Sequence, residues 1–427
     1  MIRRSTAARG LAIAAVLSVG LAACSTTTET GGDGDSAGSQ DPLIVGTILP
    51  LTGTLAFLGP PEVAGVGLAI DDINAAGGVL GNDVTMEQGD SGDTTDTSVA
   101  QQTATDLISK GAQVVIGAAS SAVSLNVVDQ FTEAGVMQIS PANTATDLSG
   151  ASEFFTRTAP PDTVQGAALG SLVLDGGHQK VAMIVQDEAY GTGLRDNIQQ
   201  AVEAGGGEVV YGATGAGDEF PPGESNFSSI VTDALASKPD AIAVIAFEET
   251  KAIVSELTSQ NWDFNGTTYF CDGNTASYEP DFDPGTLEGV VGTIPGAQAP
   301  DDFKDRLNTW YEENEGEELS DYSYGPESYD AVVLAALAAV RGDGTDGATV
   351  SENIKAVSGA DGGTEVTTFE EGVAALEAGD EIHYVGQSGV GPLNDQNDPT
   401  SAFIGVYKYD KNNVNVFERS IEGKVAE

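Results

Sequence analysis

Short apolar runs alternate with longer stretches in which apolar residues recur every three or four positions, and this rhythm runs twice along the chain. The first run, Leu43 to Leu49, is nearly continuous, as a strand buried on both faces of a parallel sheet requires. A loop from Pro50 to Pro60 leads to a predicted amphipathic helix that starts near Pro61, carries Val63, Val66, Ile70 and Ile73 on one face, and stops at Gly77-Gly78. A strand near Val84 to Glu87, a helix from Asp93 to Lys110, a strand at Val114 to Ile116, a helix from Ser121 to Ala134 and a strand at Val136 to Ile139 complete the first series. After Pro160-Pro161 the series restarts with helices expected at Thr163–Leu174, Gly193–Ala204, Phe227–Ser237 and Thr250–Gln260. Strands are expected between and after them at Lys180–Val185, Glu208–Tyr211, Ala241–Ile245 and Thr267–Phe270.

Beyond Val290 the pattern turns helical, at Asp301–Asn314 and Tyr329–Arg341, and ends in strands at Ser401–Tyr409 and Val414–Phe417 joined by a turn at Asp410–Asn413. Strands alternating with helices predict an α/β fold of two doubly wound parallel-sheet lobes with right-handed crossovers. The helical and hairpin appendix is explained if the chain crosses back between lobes. The expected lobes are therefore discontinuous, residues 43–159 with 295–384 and residues 160–294 with 385–427, joined by a hinge.

The N-terminus adds a destination. Arg3, Arg4 and Arg9 form a basic head, Leu11 to Leu21 is uncharged and apolar, and Leu21-Ala22-Ala23-Cys24 follows. The apolar run is about half the roughly 20 residues a membrane span needs, so residues 1–24 read as a secretory signal peptide. Its last four residues resemble the bacterial lipobox, which makes Cys24 the acylated residue. Residues 25–41 are Ser, Thr, Gly and Asp with hardly an apolar side chain, the composition of a flexible tether. These features anchor an exported body to the outer face of the cytoplasmic membrane. With Cys24 carrying lipid, Cys271 is the other of two cysteines, and no intramolecular disulfide can form.

Charge narrows the partners. The net charge is −48, from 65 acidic and 17 basic residues, and the acid is spread through the body. Nucleic acid and anionic lipid both call for clustered Lys and Arg, so neither is an expected partner. The acidic surface suits either a high-salt habitat or an exported protein that must stay soluble. Catalytic patterns are missing: His178 and His383 are the only histidines, and no zinc, phosphate-loop or nucleophile-elbow motif is present. No catalytic residue, metal or cofactor is expected. His178, in Asp175-Gly-Gly-His-Gln-Lys180, reads as part of a solvated turn.

What remains is binding chemistry at the carboxyl ends of strands, where open α/β sheets take their ligands. Ser120 and Ser121 follow Val115-Ile-Gly117 and open a helix; beside free backbone N–H groups, such serines suit a carboxylate, though either could act only as a helix cap. Ser140-Pro-Ala-Asn-Thr144 follows the next strand. On the second lobe, Tyr190 offers a ring and a hydroxyl, and Asp272 is placed to meet an ammonium, against the alternatives of a packing tyrosine and a turn aspartate before Gly273. Anion donors on one lobe and an acid with an aromatic on the other suit a zwitterion.

These stretches resemble the type I periplasmic binding proteins, specifically the leucine/isoleucine/valine-binding branch of ABC importers. The resemblance runs from about Leu43 to Phe417 and is carried by Leu49-Pro-Leu-Thr-Gly53, Ala69-Ile-Asp-Asp-Ile-Asn-Ala-Ala-Gly-Gly78, Ser120-Ser121, Ile139-Ser-Pro-Ala-Asn-Thr144, Tyr190-Gly-Thr-Gly-Leu194 and Tyr329-Asp-Ala331. It implies that Ser121 binds the ligand carboxylate and that the Ala142 carbonyl and Thr144 hydroxyl meet its amine and backbone. It implies too that Tyr190 lies over the ligand and that Asp272, one methylene shorter than the more usual glutamate, takes the ammonium. The first-loop pocket position falls at Phe57 or Leu58, and the second-lobe aromatic falls near Phe247 or Glu248. The implied function is that of the extracytoplasmic subunit of an ABC importer, capturing an amino acid, branched-chain type first, by hinge closure and handing it to the permease and ATPase subunits. A monomer is expected. The alternatives are a sensor of the same fold for amides, urea or other small solutes, and an exported hydrolase.

Overall fold

Two separate sheets carry the alternation, each with helices on both faces. The computed structural model describes residues 41–424; the expected signal peptide, Cys24 and nearly all of the tether lie outside the described residues. The first sheet contains β1 (Ile44–Ile48), β2 (Thr85–Glu87), β3 (Val114–Gly117), β4 (Met137–Ser140) and β5 (Phe155–Arg157), all parallel in the order β2-β1-β3-β4-β5. The second contains β6 (Lys180–Val185), β7 (Glu208–Tyr211), β8 (Ala241–Ile245), β9 (Thr268–Phe270) and β10 (Val291–Pro295). A short parallel pair, β11 (Thr364–Val366) and β12 (Ile382–Tyr384), stands apart. The hairpin of β13 (Ser401–Tyr409) and β14 (Asn415–Lys424) adds antiparallel to β10, giving the order β14-β13-β10-β9-β8-β6-β7. In each sheet the strand order reverses once, beside β1 and beside β6, and such reversals open the crevices in which α/β sheets hold ligands.

The expected helix after β1 forms at Gly59–Ala75, but it is not half-exposed. Val63, Val66, Ile70 and Ile73 are buried as expected, and so are Pro61, Glu62, Ala64 and Leu68. The reason is that helices Asp301–Glu315 and Gly325–Gly342 cover its outer side. Gly65 makes this possible: a Cβ there would stand 2.2 Å from the Gly325 carbonyl oxygen, so only glycine lets the two backbones approach. Thus the segment after β10 returns to the first sheet, and the chain crosses again before β13 joins the second.

Several elements depart from the sequence reading. Strands β5, β10, β11 and β12 and helices Gly347–Val357 and Phe369–Glu377 lack a clear sequence pattern; β5, β11 and β12 span three residues each, too short for a period to register. The helix expected at Gly193 begins at Ala189, because Glu188 accepts the Gly191 N–H at 2.7 Å and caps it. Its two glycines therefore lie within a helix, and Tyr190 sits on its first turn rather than in a loop. His178 is half-buried rather than solvated: its Nε2 lies 2.8 Å from the Gly266 carbonyl oxygen and its ring meets Tyr269 edge-on.

Candidate functional site

Five strand ends from the two sheets meet around one small cavity of about 20 Å³. From the first sheet come Ala119, Ser120 and Ser121 after β3, and Ala142 and Thr144 after β4. From the second come Tyr190 after β6, Phe247 after β8, and Asp272 and Gly273 after β9. Leu55 and Leu58, from the loop after β1, and Tyr324, from the turn before helix Gly325–Gly342, close it.

The first-lobe wall is built from backbone-binding serines. Ser120 has extended dihedrals and accepts the Val123 N–H at 3.4 Å, so it caps helix Ser121–Ala134. Ser121 Oγ accepts the backbone N–H groups of Thr144 at 3.3 Å and Ala145 at 3.2 Å, which ties the two strand ends together. Ser140 Oγ donates to the Ala118 carbonyl oxygen at 2.7 Å and accepts from Asn143 N–H at 2.9 Å, folding the Ser140–Thr144 turn back on itself. Arg157 braces the turn from behind. Fully buried, it pairs with Asp398 at 2.7 Å and donates to the carbonyl oxygens of Asn143 and Ala145 at 3.3 and 2.8 Å. The Thr144 hydroxyl is buried and has no hydrogen-bond partner in the protein, a polar group left for a ligand or a water.

The second-lobe wall centres on Asp272. Its Oδ1 accepts the Tyr190 hydroxyl at 2.7 Å and the Gln165 amide at 3.0 Å; its Oδ2 accepts the Tyr324 hydroxyl at 2.6 Å. Burial pushes the Asp272 carboxyl up from its ordinary range, against the pull of these three donors. Tyr190 also accepts the Gly273 N–H at 3.2 Å, and its ring stacks on Phe247 with centroids 5.5 Å apart and planes 12° apart. Tyr190 reaches Cys271 Sγ at 2.8 Å, and the buried Cys271 thiol is pushed up by its burial.

No Lys or Arg lines the cavity. Instead acids surround it. Glu188, which caps the Tyr190 helix, is raised by burial to about 7, and Asp162, at the head of helix Asp162–Asp175, is raised well above its ordinary range by burial and then by the charge of Asp272. Burial thus favours the protonated forms of these acids. Among the described residues no group of acids, histidines and cysteines could hold a metal ion.

Of the residues singled out in the sequence, Ser120, Ser121, Ala142, Thr144, Tyr190, Asp272, Leu58 and Phe247 share this cavity. Phe57 and Glu248 do not. They line an adjoining cavity with Lys251 and Asp281, where Glu248 is exposed and pairs with Lys251 at 3.1 Å. Phe247 and Gly273 line both spaces, whereas Leu58 lines only the smaller one and Phe57 and Glu248 only the other. Tyr324 and Gln165 escaped the sequence reading. Tyr324 sits in a turn at φ +61°, and Gln165 lies inside a helix, so neither ends an apolar run that could have flagged it.

Two facing α/β sheets, with hydrogen-bonding strand ends meeting in the crevice, define a two-lobed binding protein. The chain belongs to the periplasmic binding protein family, whose model matches residues 42–376. That family is extracytoplasmic and binds solutes for transporters. Among similar proteins, a Leu/Ile/Val-binding protein of Rhizobium johnstonii is 33% identical over 204 residues, covering 47% of this chain and 53% of its own. The Leu/Ile/Val-binding protein of Escherichia coli K12 is 29% identical over 189 residues, covering 44% and 50%. The chain thus spans about half the length of the curated relatives it matches. The fold is that of the leucine-binding protein LivK of Thermotoga maritima, with a TM-score of 0.71, 21% identity, and coverage of 89% of this chain and 98% of that one. It is shared with a solute-binding protein of R. palustris solved with benzoate, at a TM-score of 0.69, 18% identity, and coverage of 91% and 98%. Among the described residues no helix is long and apolar enough to cross a membrane.

Proposed function

We propose that this protein captures an amino acid, of the branched-chain type first, and delivers it as the binding subunit of an ABC importer with permease and ATPase partners. The observation that carries this reading is the convergence of Ser121, Thr144, Tyr190 and Asp272, from four strand ends of two lobes, on one cavity free of basic residues. In this reading the ligand carboxylate meets the helix head at Ser121, the ammonium meets Asp272, Thr144 and the Ala142 carbonyl, and the aliphatic side chain meets Leu55, Leu58 and Phe247. A cavity of about 20 Å³ holds little more than one water, so entry of an amino acid calls for the lobes to part at the hinge and close again. The lobes are residues 43–159 with 295–384, and 160–294 with 385–427.

Similar proteins are named for leucine, isoleucine and valine, which favours that class. A second reading is an organic acid without an amine, since Asp272 already holds three donors and a protein of the same fold was solved with benzoate. A thermal-shift panel of branched-chain amino acids, short amides, urea and benzoate separates these readings, because a ligand raises the melting temperature of the state it binds. A rise with leucine, isoleucine or valine supports the first; a rise with benzoate alone supports the second. The body works as a monomer, held to the outer face of the cytoplasmic membrane by lipid on Cys24. Cys24→Ser is expected to free it from membranes, and continued membrane association would refute the anchor.

A further inference from the structure

Behind Tyr324 lies a second and larger cleft between the lobes, of about 470 Å³. Tyr324 lines both spaces and so forms the wall between them. The cleft is walled by Tyr322 and Tyr324 on one side and by Tyr407 and Phe417 of the hairpin on the other, the last two meeting edge-on at 5.6 Å. Glu327 forms part of its lining. It is 2% exposed, lies against Gly296 with no room for a Cβ between them, and its carboxylate is held by its own backbone N–H. Behind it is Glu62, fully buried, with neither carboxylate oxygen hydrogen-bonded. Burial raises both carboxyls well above their ordinary range, and the charge of Glu327 raises Glu62 further.

A buried acid without a cation keeps its proton, and a cation brought beside Glu327 would favour its charged form. No residue of the described wall brings one. Lys304, the cation among the lining residues, points its Nζ over the Tyr322 ring at 6.0 Å and stands 3.9 Å from Asp301. It shows that this aromatic wall accepts a positive charge, while leaving Glu327 without one. The volume falls in the range of small-molecule sites, and aromatic faces beside a carboxylate are the chemistry that holds an organic ammonium.

We propose that this cleft is a second binding site, for a small organic ammonium with an apolar body, in which Glu327 takes the charge and Tyr322, Tyr407 and Phe417 take the body. The site stands independently of what fills the smaller cavity at Asp272.

The test is calorimetric titration of the whole chain with benzylammonium and, as its uncharged counterpart, benzyl alcohol. Benzylammonium is expected to bind one site, at least about tenfold more tightly than the alcohol. Glu327→Gln is expected to weaken it about tenfold or more, and so is Phe417→Ala, which alters only the half-exposed hairpin and guards against a folding defect at Glu327. Asp272→Asn is expected to leave it within about twofold. Failure of benzylammonium to bind, equal binding of the alcohol, or loss in Asp272→Asn with retention in both Glu327→Gln and Phe417→Ala would each overturn the proposal.

Discussion

The Tyr324 hydroxyl donates to Asp272 Oδ2 at 2.6 Å, and this bond joins the two lobes. Tyr324 precedes a helix packed on the first lobe's Gly59–Ala75 helix, while Asp272 follows a strand of the second sheet. The acid proposed to hold the ligand's ammonium is therefore also a fastening between the lobes. In the proposed function, a charged ligand group arriving at Asp272 would act on the same carboxylate as the phenol already there, and so would link ligand capture to closure.

Replacing Tyr324 with Phe keeps the ring and deletes the donor. The buried Oδ2 then lacks its partner, and the ligand-free protein is expected to lose about 1–2 kcal/mol of stability in urea denaturation. A saturating ammonium-bearing ligand supplies a donor, so the deficit is expected to shrink in its presence. An undiminished deficit would place the ligand away from Oδ2.

Asp272→Asn keeps the size and removes the charge. Truncating one partner of a buried charge pair costs about 2–5 kcal/mol, so affinity for an amino acid is expected to fall at least about thirtyfold by calorimetry. Affinity unchanged within a factor of about two would mean that the bound species carries no ammonium.

Glu188 makes stability depend on pH. Its folded value, about 7, lies above its ordinary 4.5, so between these values the folded protein holds a proton that the unfolded chain has released. Stability therefore falls as pH rises from about 4.5 through about 7, and stays at the lower level above it. Buried Asp162 and Glu327 act in the same direction. The melting temperature is expected to be higher at pH 6 than at pH 8, and Glu188→Gln is expected to narrow that gap. A gap of the same size in Glu188→Gln would exclude Glu188 as a source.

Arg157 holds the Ser140–Thr144 turn from a fully buried position, paired with a nearly buried Asp398. Arg157→Met strands that carboxylate and is expected to cost about 3–5 kcal/mol in urea denaturation. Arg157→Lys keeps the charge but loses the fork that reaches two carbonyls and Ser149, so it is expected to recover only part.

The sequence made the fold legible wherever a strand was long and apolar, as at Leu43–Leu49 and Ala241–Ile245, because burial on both faces leaves no ambiguity of period. It makes the site legible where polar residues stand just past such a run, as at Ser120-Ser121 and Asp272, while Thr144 is marked by the resemblance of the Ser140–Thr144 turn. Tyr324 and Gln165 follow no such run; their place depends on how the returning segment packs, a long-range contact without local trace. Phe57 and Glu248 show the converse. Each neighbours a lining residue, but loop geometry, not composition, decides which of the two faces the cavity. Glu327 was hidden as one acid among 65, and only its burial sets it apart.

The most direct test of the central claim is calorimetric titration of protein freed of co-purified ligand with leucine, isoleucine and valine. The tightest of the three is then compared with the same molecule lacking its ammonium and with the same molecule lacking its carboxylate. One of the three is expected to bind at least about a hundredfold more tightly than either truncated form, since each truncation leaves a buried partner unpaired. Binding of the des-amino acid as tightly as the amino acid, or no binding of any of the three, would contradict the account.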